Sequence, residues 1–236
     1  MEPPRDGQAS HINNRAKTCF AIFKMRLFFI QSPLSLRRLY CENINNTFIN
    51  NMEFEMNLKG AFTAIITPFN KGRVDLKKFG ELIEAQIAAG IDGIIPVGTT
   101  GESPTLSMEE HIEVIETTVK VARQRCLVIA GTGANSTAEA VMLTMAAKKS
   151  GADATLQVAP YYNKPTQEGL YRHFSEIADE VGLPVVIYNI PGRCGVSIAV
   201  ETIERLAKNK LMIGVKEAGG SVERVSAILE DRKSVV

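Results

Sequence analysis

The stretch LMIGVKEAGG, Leu211 to Gly220, runs an apolar segment straight into Lys216 and then Glu217. A lysine carried to the end of a buried strand is partly desolvated, and desolvation lowers an amine pKa because burial disfavours the charged form. The neutral amine is the nucleophile that forms a Schiff base with a carbonyl. The same residues also fit a lysine that opens a loop and pairs with Glu217 in solvent. Three further stretches set polar groups just after apolar runs. VIYNIPGR places Tyr188, a phenol able to relay protons beside an imine, and then Arg193, a planar fork for a carboxylate. A tyrosine packed at a rim and an arginine on the surface are the plain alternatives. VGTTGES supplies Gly98, Thr99, Thr100, Gly101 and Glu102. Small residues let backbone amides face a ligand and the two hydroxyls add donors. That suits a carboxylate, and suits a phosphate less, because the lysine of a phosphate-binding loop is absent. A tight structural turn accounts for it equally well. APYYNKP sets Tyr161 beside Tyr162, amphipathic rings that either anchor an interface or pack.

Each of these groups needs an element to carry it. From residue 57 onward, short apolar runs alternate with amphipathic stretches. The predicted strands are GAFTAIITPF, GIIPVG, LVIAGTG, ATLQVAP, PVVIYNIP and MIGVKEA. The predicted helices run from Asp75 to Ala89, Ser107 to Arg123, Ser136 to Lys149, Gln167 to Val181, Ile198 to Lys208, and onward from Ser221. Continuous apolar strands are expected where both faces of a sheet are covered. Ser107 with Glu110, and Ser136 with Glu139, have capping-box spacing. Gly90, Gly151 and Gly182 fall just past helices, where a left-handed residue is wanted. Strand–helix alternation implies an α/β fold with a parallel sheet, either doubly wound or an eightfold barrel. Two features favour the barrel. No GxGxxG follows the first strand, and unusual residues recur at several strand ends, which in a β/α barrel surround one mouth. Six units are fewer than eight, so the chain reads as a C-terminally truncated barrel over 57–230.

The remaining residues differ in composition. Residues 1–41 hold seven Lys/Arg against two acidic residues, and 43–51 are rich in asparagine. Residues 1–56 read as a separate N-terminal extension, either a poorly ordered tail or an organelle transit peptide. Its apolar run is broken by Lys24 and Arg26 and is too short to span a bilayer. The ending, 231–236 (DRKSVV), reads as a tail foreign to the fold. A net charge of +1 gives no argument for nucleic acid or an anionic membrane. His11, His111 and His173, and Cys19, Cys41, Cys126 and Cys194, show neither metal-ligand spacing nor a disulfide framework. Reduced cytoplasmic thiols are expected, with a plastid-like organelle as the alternative if the extension is a transit peptide.

The body resembles the dihydrodipicolinate synthase family of class I, pyruvate-dependent aldolases and lyases. GTTGES, PYYNKPTQEGLYRHF, PVVIYNIPGR and IGVKEAGG stand in that family's order and spacing. The resemblance implies a TIM (β/α)8 barrel, here with its first six units, and an enzyme of lysine and diaminopimelate biosynthesis. It implies that Lys216 captures pyruvate, and that Tyr188, Thr99 and a Tyr162 from a neighbouring subunit relay protons. Thr100 and Gly98 would hold the pyruvate carboxylate, and Arg193 that of L-aspartate 4-semialdehyde. No cofactor and no metal are implied, and the assembly would be a homotetramer, a dimer of dimers. Ser103, His111, Asn135, Glu139 and Tyr161 match the family's site for inhibition by lysine, while Pro104 and Met108 depart from lysine-sensitive members. Gly219 stands where threonine or serine is usual. Relatives cleaving N-acetylneuraminate or keto-deoxy sugar acids share the fold and the lysine but, in the first case, not the arginine.

Overall fold

In the computed structural model, residues 56 and 58–231 are described. The extension and the DRKSVV ending lie outside them, apart from Met56 and Asp231. Six parallel strands make one sheet in the order β1 (Phe62–Ala64), β4 (Gly93–Ile95), β5 (Leu127–Gly131), β6 (Ala154–Val158), β7 (Val185–Asn189) and β8 (Met212–Glu217). Within this sheet each strand sits beside the one that follows it in chain order, with helices in the connections. The helices are α1 (Leu76–Ala88), α2 (Met108–Ala122), α3 (Thr137–Ser150), α4 (Gln167–Val181), the short α5 (Pro191–Cys194), α6 (Val200–Leu206) and α7 (Val222–Asp231). This is the partial TIM barrel expected from the alternation. Among the described residues, no helix is long and apolar enough to cross a membrane.

Local signals explain the elements. Asp75 caps α1 by accepting from the Lys78 N–H at 2.9 Å. The Ser107 hydroxyl accepts from Glu110 N–H while the Glu110 carboxylate accepts from Ser107 N–H, a complete capping box on α2. On α3 only the Ser136 half is made, at 3.5 Å. Gly151 and Gly182 close α3 and α4 with positive φ. Asp92 and Asp153, each just before a strand, accept from a backbone N–H on the neighbouring strand's side, Ala61 and Val128, both at 2.8 Å.

The first strand is shorter than GAFTAIITPF led us to expect. Its end folds instead into a hairpin, β2 (Phe69–Asn70) against β3 (Arg73–Val74). The Lys71–Gly72 turn has φ of 50° and 76°. Two left-handed residues in a row match the twist of a tight hairpin. Pro68, lacking an N–H, cannot continue a central ladder. A one-turn 3-10 helix at Ser103–Thr105 and α5 are the other unanticipated elements.

Alternation along the strands divides the core in two. Ile95, Ile129, Leu156, Val186 and Tyr188 pack on the concave face, with Met56 and Phe62 against them. On the convex face, strand residues such as Ile94, Val128, Ile187 and Val215 meet helix residues including Phe79, Ile115, Phe174 and Ile203. A polar layer interrupts this interface: Thr132, Thr144, Thr155 and Gln157 are fully buried and hydrogen-bonded to one another.

His173 of α4 belongs to the same convex layer. It is buried, shares a 2.9 Å hydrogen bond with the Thr137 hydroxyl, and meets the Phe174 ring edge-on. Burial pushes its pKa down to about 4. The folded chain therefore keeps this imidazole neutral where an unfolded chain, with an ordinary histidine pKa, already binds a proton. Stability from this residue is intact above the unfolded value and is lost as pH falls from about 6.5 towards 4, on the order of 3 kcal/mol in all. Urea titrations across that window should show the loss in the native sequence and a flatter profile in His173→Leu.

Candidate active site

Lys216 and Tyr188 are register partners at the carboxyl ends of β8 and β7. The pairing depends on a bulge. Val185 pairs with Met212 but Val186 pairs with Gly214, so Ile213 is an extra residue on β8. Met212 packs among the helix-facing residues, and strict alternation from it would send Lys216 the same way. The inserted residue reverses the parity and puts Lys216 beside Tyr188, whose ring packs on the concave face. The Lys216 Nζ stands 4.3 Å from the centroid of that ring. The Tyr188 face attracts the ammonium, while partial burial pushes the Lys216 pKa below the usual lysine value. Glu217 does not pair with Lys216, contrary to the solvated-loop alternative. Its carboxylate is on the other side of the strand, 2.8 Å from the Arg224 Nε.

A cavity of about 400 Å³ opens against Tyr188; Lys216 is not among the residues that line it and reaches it only by way of the Tyr188 ring. Loops after four strands reach it: Gly98 and Thr99 after β4, Gly133 after β5, Tyr161 after β6, and Ile190 and Arg193 after β7, with Tyr188 in its wall. The GTTGES turn is held by Gly101 N–H to Gly98 C=O at 3.0 Å, and from outside by the buried Thr67 hydroxyl, which donates to Gly101 C=O at 2.7 Å. Val97, at its entry, has φ of 46°. A β-branched residue in that region is strained, at a cost of order 1–3 kcal/mol, and such strain collects at functional sites. Thr100 is exposed in the same turn but is not part of the cavity wall. Arg193, on α5, is exposed at the mouth.

Tyr162 is turned away from all of this. It is 90% exposed and its φ is 74°, an uncommon conformation for a bulky residue. Tyr161, its neighbour, is half-buried and lines both the main cavity and a smaller one of about 90 Å³. Ser103, His111 and Glu139 line the smaller cavity too. The Tyr161 phenol is pushed up by burial and by the Glu139 charge, with an opposing hydrogen bond from the Asn135 backbone. Asn135 is therefore next to this group without lining it, and its carbonyl accepts from the Asn163 side chain at 3.1 Å. His111 is buried and bonds Gly131 C=O through Nε2 at 2.8 Å, with burial pushing its pKa down. That bond fixes the Nε2–H tautomer, because a carbonyl only accepts.

Sequence reasoning passed over Thr67, Asn189 and Arg224. No spacing rule links them to the site, since each acts across an interval that only the fold closes.

The arrangement brings a phenol, a small-residue turn and a guanidinium to one cleft, with an amine of lowered pKa against the ring of that phenol. Comparisons with known proteins bear on what such a cleft does. Residues 57–236 match the model of the "Dihydrodipicolinate synthetase family". The chain is 57% identical over 171 residues to the 4-hydroxy-tetrahydrodipicolinate synthase of Thermodesulfovibrio yellowstonii, covering 72% of this chain and 59% of that protein. Its fold is similar to that of the same-named enzyme from Methylacidiphilum fumariolicum, with a TM-score of 0.74 and 56% identity over 75% of this chain and 59% of the other. It is also similar to the chloride-inhibited, pyruvate-complexed dihydrodipicolinate synthase of Acinetobacter baumannii, with a TM-score of 0.72 and 49% identity over 76% of this chain and 63% of the other. The chain spans about three-fifths of the length of these relatives.

Proposed function

The chain belongs to the dihydrodipicolinate synthetase family, and on that footing we propose that Lys216 forms a Schiff base with pyruvate for aldol condensation with L-aspartate 4-semialdehyde. The observation that carries this reading is the Lys216 amine, half-buried and of lowered pKa, standing 4.3 Å over the Tyr188 ring at two adjacent strand ends. A pyruvate-complexed relative at 49% identity supports the first substrate.

The chemistry follows from the groups. The neutral amine adds to the pyruvate ketone, and loss of water gives a protonated imine. That imine withdraws electrons, so a methyl proton can leave through the Tyr188 hydroxyl to Thr99. The enamine left behind attacks the aldehyde carbon. The amine of the second substrate then closes onto the imine carbon and releases Lys216, giving 4-hydroxy-tetrahydrodipicolinate. No cofactor enters, because the imine supplies the activation. Gly98 and Thr100 are assigned to the pyruvate carboxylate. Tyr162, exposed and left-handed, would complete the relay of a second copy of the chain, in the homotetramer proposed for the family's architecture. The smaller cavity, with Ser103, His111, Glu139 and Tyr161 around it and Asn135 alongside, is the place assigned to inhibitory lysine.

Arg193 selects the aldehyde. A guanidinium at the mouth favours an aldehyde bearing a carboxylate over a neutral sugar. Arg193→Ala is expected to raise KM for aspartate 4-semialdehyde by about 10–100-fold and leave KM for pyruvate close to its original value. Turnover of the unaltered chain should be faster with aspartate 4-semialdehyde than with N-acetylmannosamine. The opposite preference would move the assignment to a sugar-acid lyase.

A further inference from the structure

Glu217 follows the proposed nucleophile, yet its carboxylate is turned to the opposite face and is only 2% exposed. Three donors hold it through four hydrogen bonds. Asn189 Nδ2 donates to both oxygens, at 2.9 and 3.0 Å. Gly219 N–H donates at 2.7 Å and Arg224 Nε at 2.8 Å. Two of these partners reach onward to one residue. Asn189 Oδ1 accepts from Ile198 N–H at 3.0 Å, and the Arg224 guanidinium donates to Ile198 C=O. Asn189 also accepts, through its own carbonyl, from Ala218 N–H at 2.9 Å. The cluster thus ties together the end of β7, the end of β8, the first turn of α7 and the segment that follows the Arg193 helix.

We propose that Asn189, Glu217 and Arg224 are positioning residues for Lys216, locking β8 to β7 in the register that sets the amine over Tyr188 while anchoring the loop that carries Arg193. The proposal rests on the reading of Lys216 as the nucleophile. Its physical basis is alternation: with Glu217 fixed behind the strand, Lys216 must project in front of it. Arg224 matters for a second reason. It matches the buried carboxylate with an opposite charge, so that the negative charge adjacent in sequence to Lys216 is engaged elsewhere.

Gly219 is part of the same device. A Cβ there would sit 2.6 Å from Glu217 Oε1, closer than real contacts allow. Any side chain at 219 must displace the carboxylate from its place. Glycine at 219 leaves room for the carboxylate to accept from the 219 N–H.

The test uses Glu217→Gln, which keeps shape but presents an amide N–H to Arg224, and Gly219→Ala, which displaces the carboxylate without removing it should the first variant not fold. Two readouts are taken on the full chain. The first is steady-state kinetics with pyruvate, together with the rate of borohydride trapping. A misplacement of about 1 Å costs around 100-fold in rate, so kcat and the trapping rate should fall by about 10–100-fold in either variant, with KM for pyruvate changed far less. The second is competitive acetylation of Lys216 against exposed Lys210 by acetic anhydride, which reports the amine's setting without any pyruvate chemistry. The Lys216 to Lys210 labelling ratio should shift in both variants. If the unaltered chain traps pyruvate and both variants match it in kcat, trapping and labelling, the positioning role is overturned and the Schiff-base reading stands. If the unaltered chain traps no pyruvate but the labelling ratio shifts, the Schiff-base reading fails and the positioning of Lys216 stands. Unchanged labelling and no trapping overturn both.

Discussion

Lys216→Arg is expected to lose at least about 10⁴-fold in kcat/KM for the condensation, since removing a covalent nucleophile removes the path that depends on it. The substitution separates charge from nucleophilicity. Arginine keeps a long apolar stem and a cation able to lie over the Tyr188 ring, but its guanidinium stays protonated and cannot form the imine. Binding of a carboxylate near the site would survive; capture of the ketone would not. The native residue differs in one physical respect: partial burial pushes its pKa below the usual lysine value. A lowered pKa means that the neutral fraction grows at lower pH than for a surface lysine. The rate of imine formation should therefore rise with pH and level off earlier than free lysine would allow. Lys210→Arg, on the exposed turn before β8, is the control and should leave kcat/KM unchanged.

Tyr188→Phe carries the second large effect. The ring under Lys216 remains, with its concave-face packing and its attraction for the ammonium; only the hydroxyl is lost. General acid–base groups contribute about 10²–10⁴-fold, so kcat should fall by roughly that range. KM for pyruvate should move little, because the ketone is still met by the same amine. The chain should fold as before, since the side chain is 5% exposed and its volume is nearly conserved. A variant that retained full kcat would remove Tyr188 from the proton relay and leave its ring as a wall.

The order of strands and helices was legible because apolar runs of strand length alternate with amphipathic stretches of helix length. Caps sharpened it: Ser107 and Glu110 mark the start of α2, and Gly151 and Gly182 the ends of α3 and α4. Turn chemistry was less visible. Lys71–Gly72 turns a hairpin that goes unread in the sequence, because its first residue, Phe69, reads as the end of the strand GAFTAIITPF. The strand-end groups were legible as a set, because a barrel gathers such ends at one mouth. Gly98, Thr99, Tyr188 and Arg193 do line one cavity.

What the linear order could not show is which way Lys216 faces. Counting by twos from Met212 gives the wrong face, and only the extra residue at Ile213 corrects it. Nor could it pair Glu217. Its sequence neighbour carries the opposite charge and was the natural partner on paper. On a strand, adjacent side chains point apart, so Glu217 meets Arg224 from the next helix instead.

Borohydride reduction in the presence of pyruvate, followed by peptide mass spectrometry, tests the central claim most directly. A Schiff-base lysine at position 216 should yield one covalent adduct with the mass of a reduced pyruvate, on the peptide containing Lys216, and none in Lys216→Arg. An adduct on another lysine, or none in folded protein at saturating pyruvate, would contradict the assignment of Lys216 as the covalent centre.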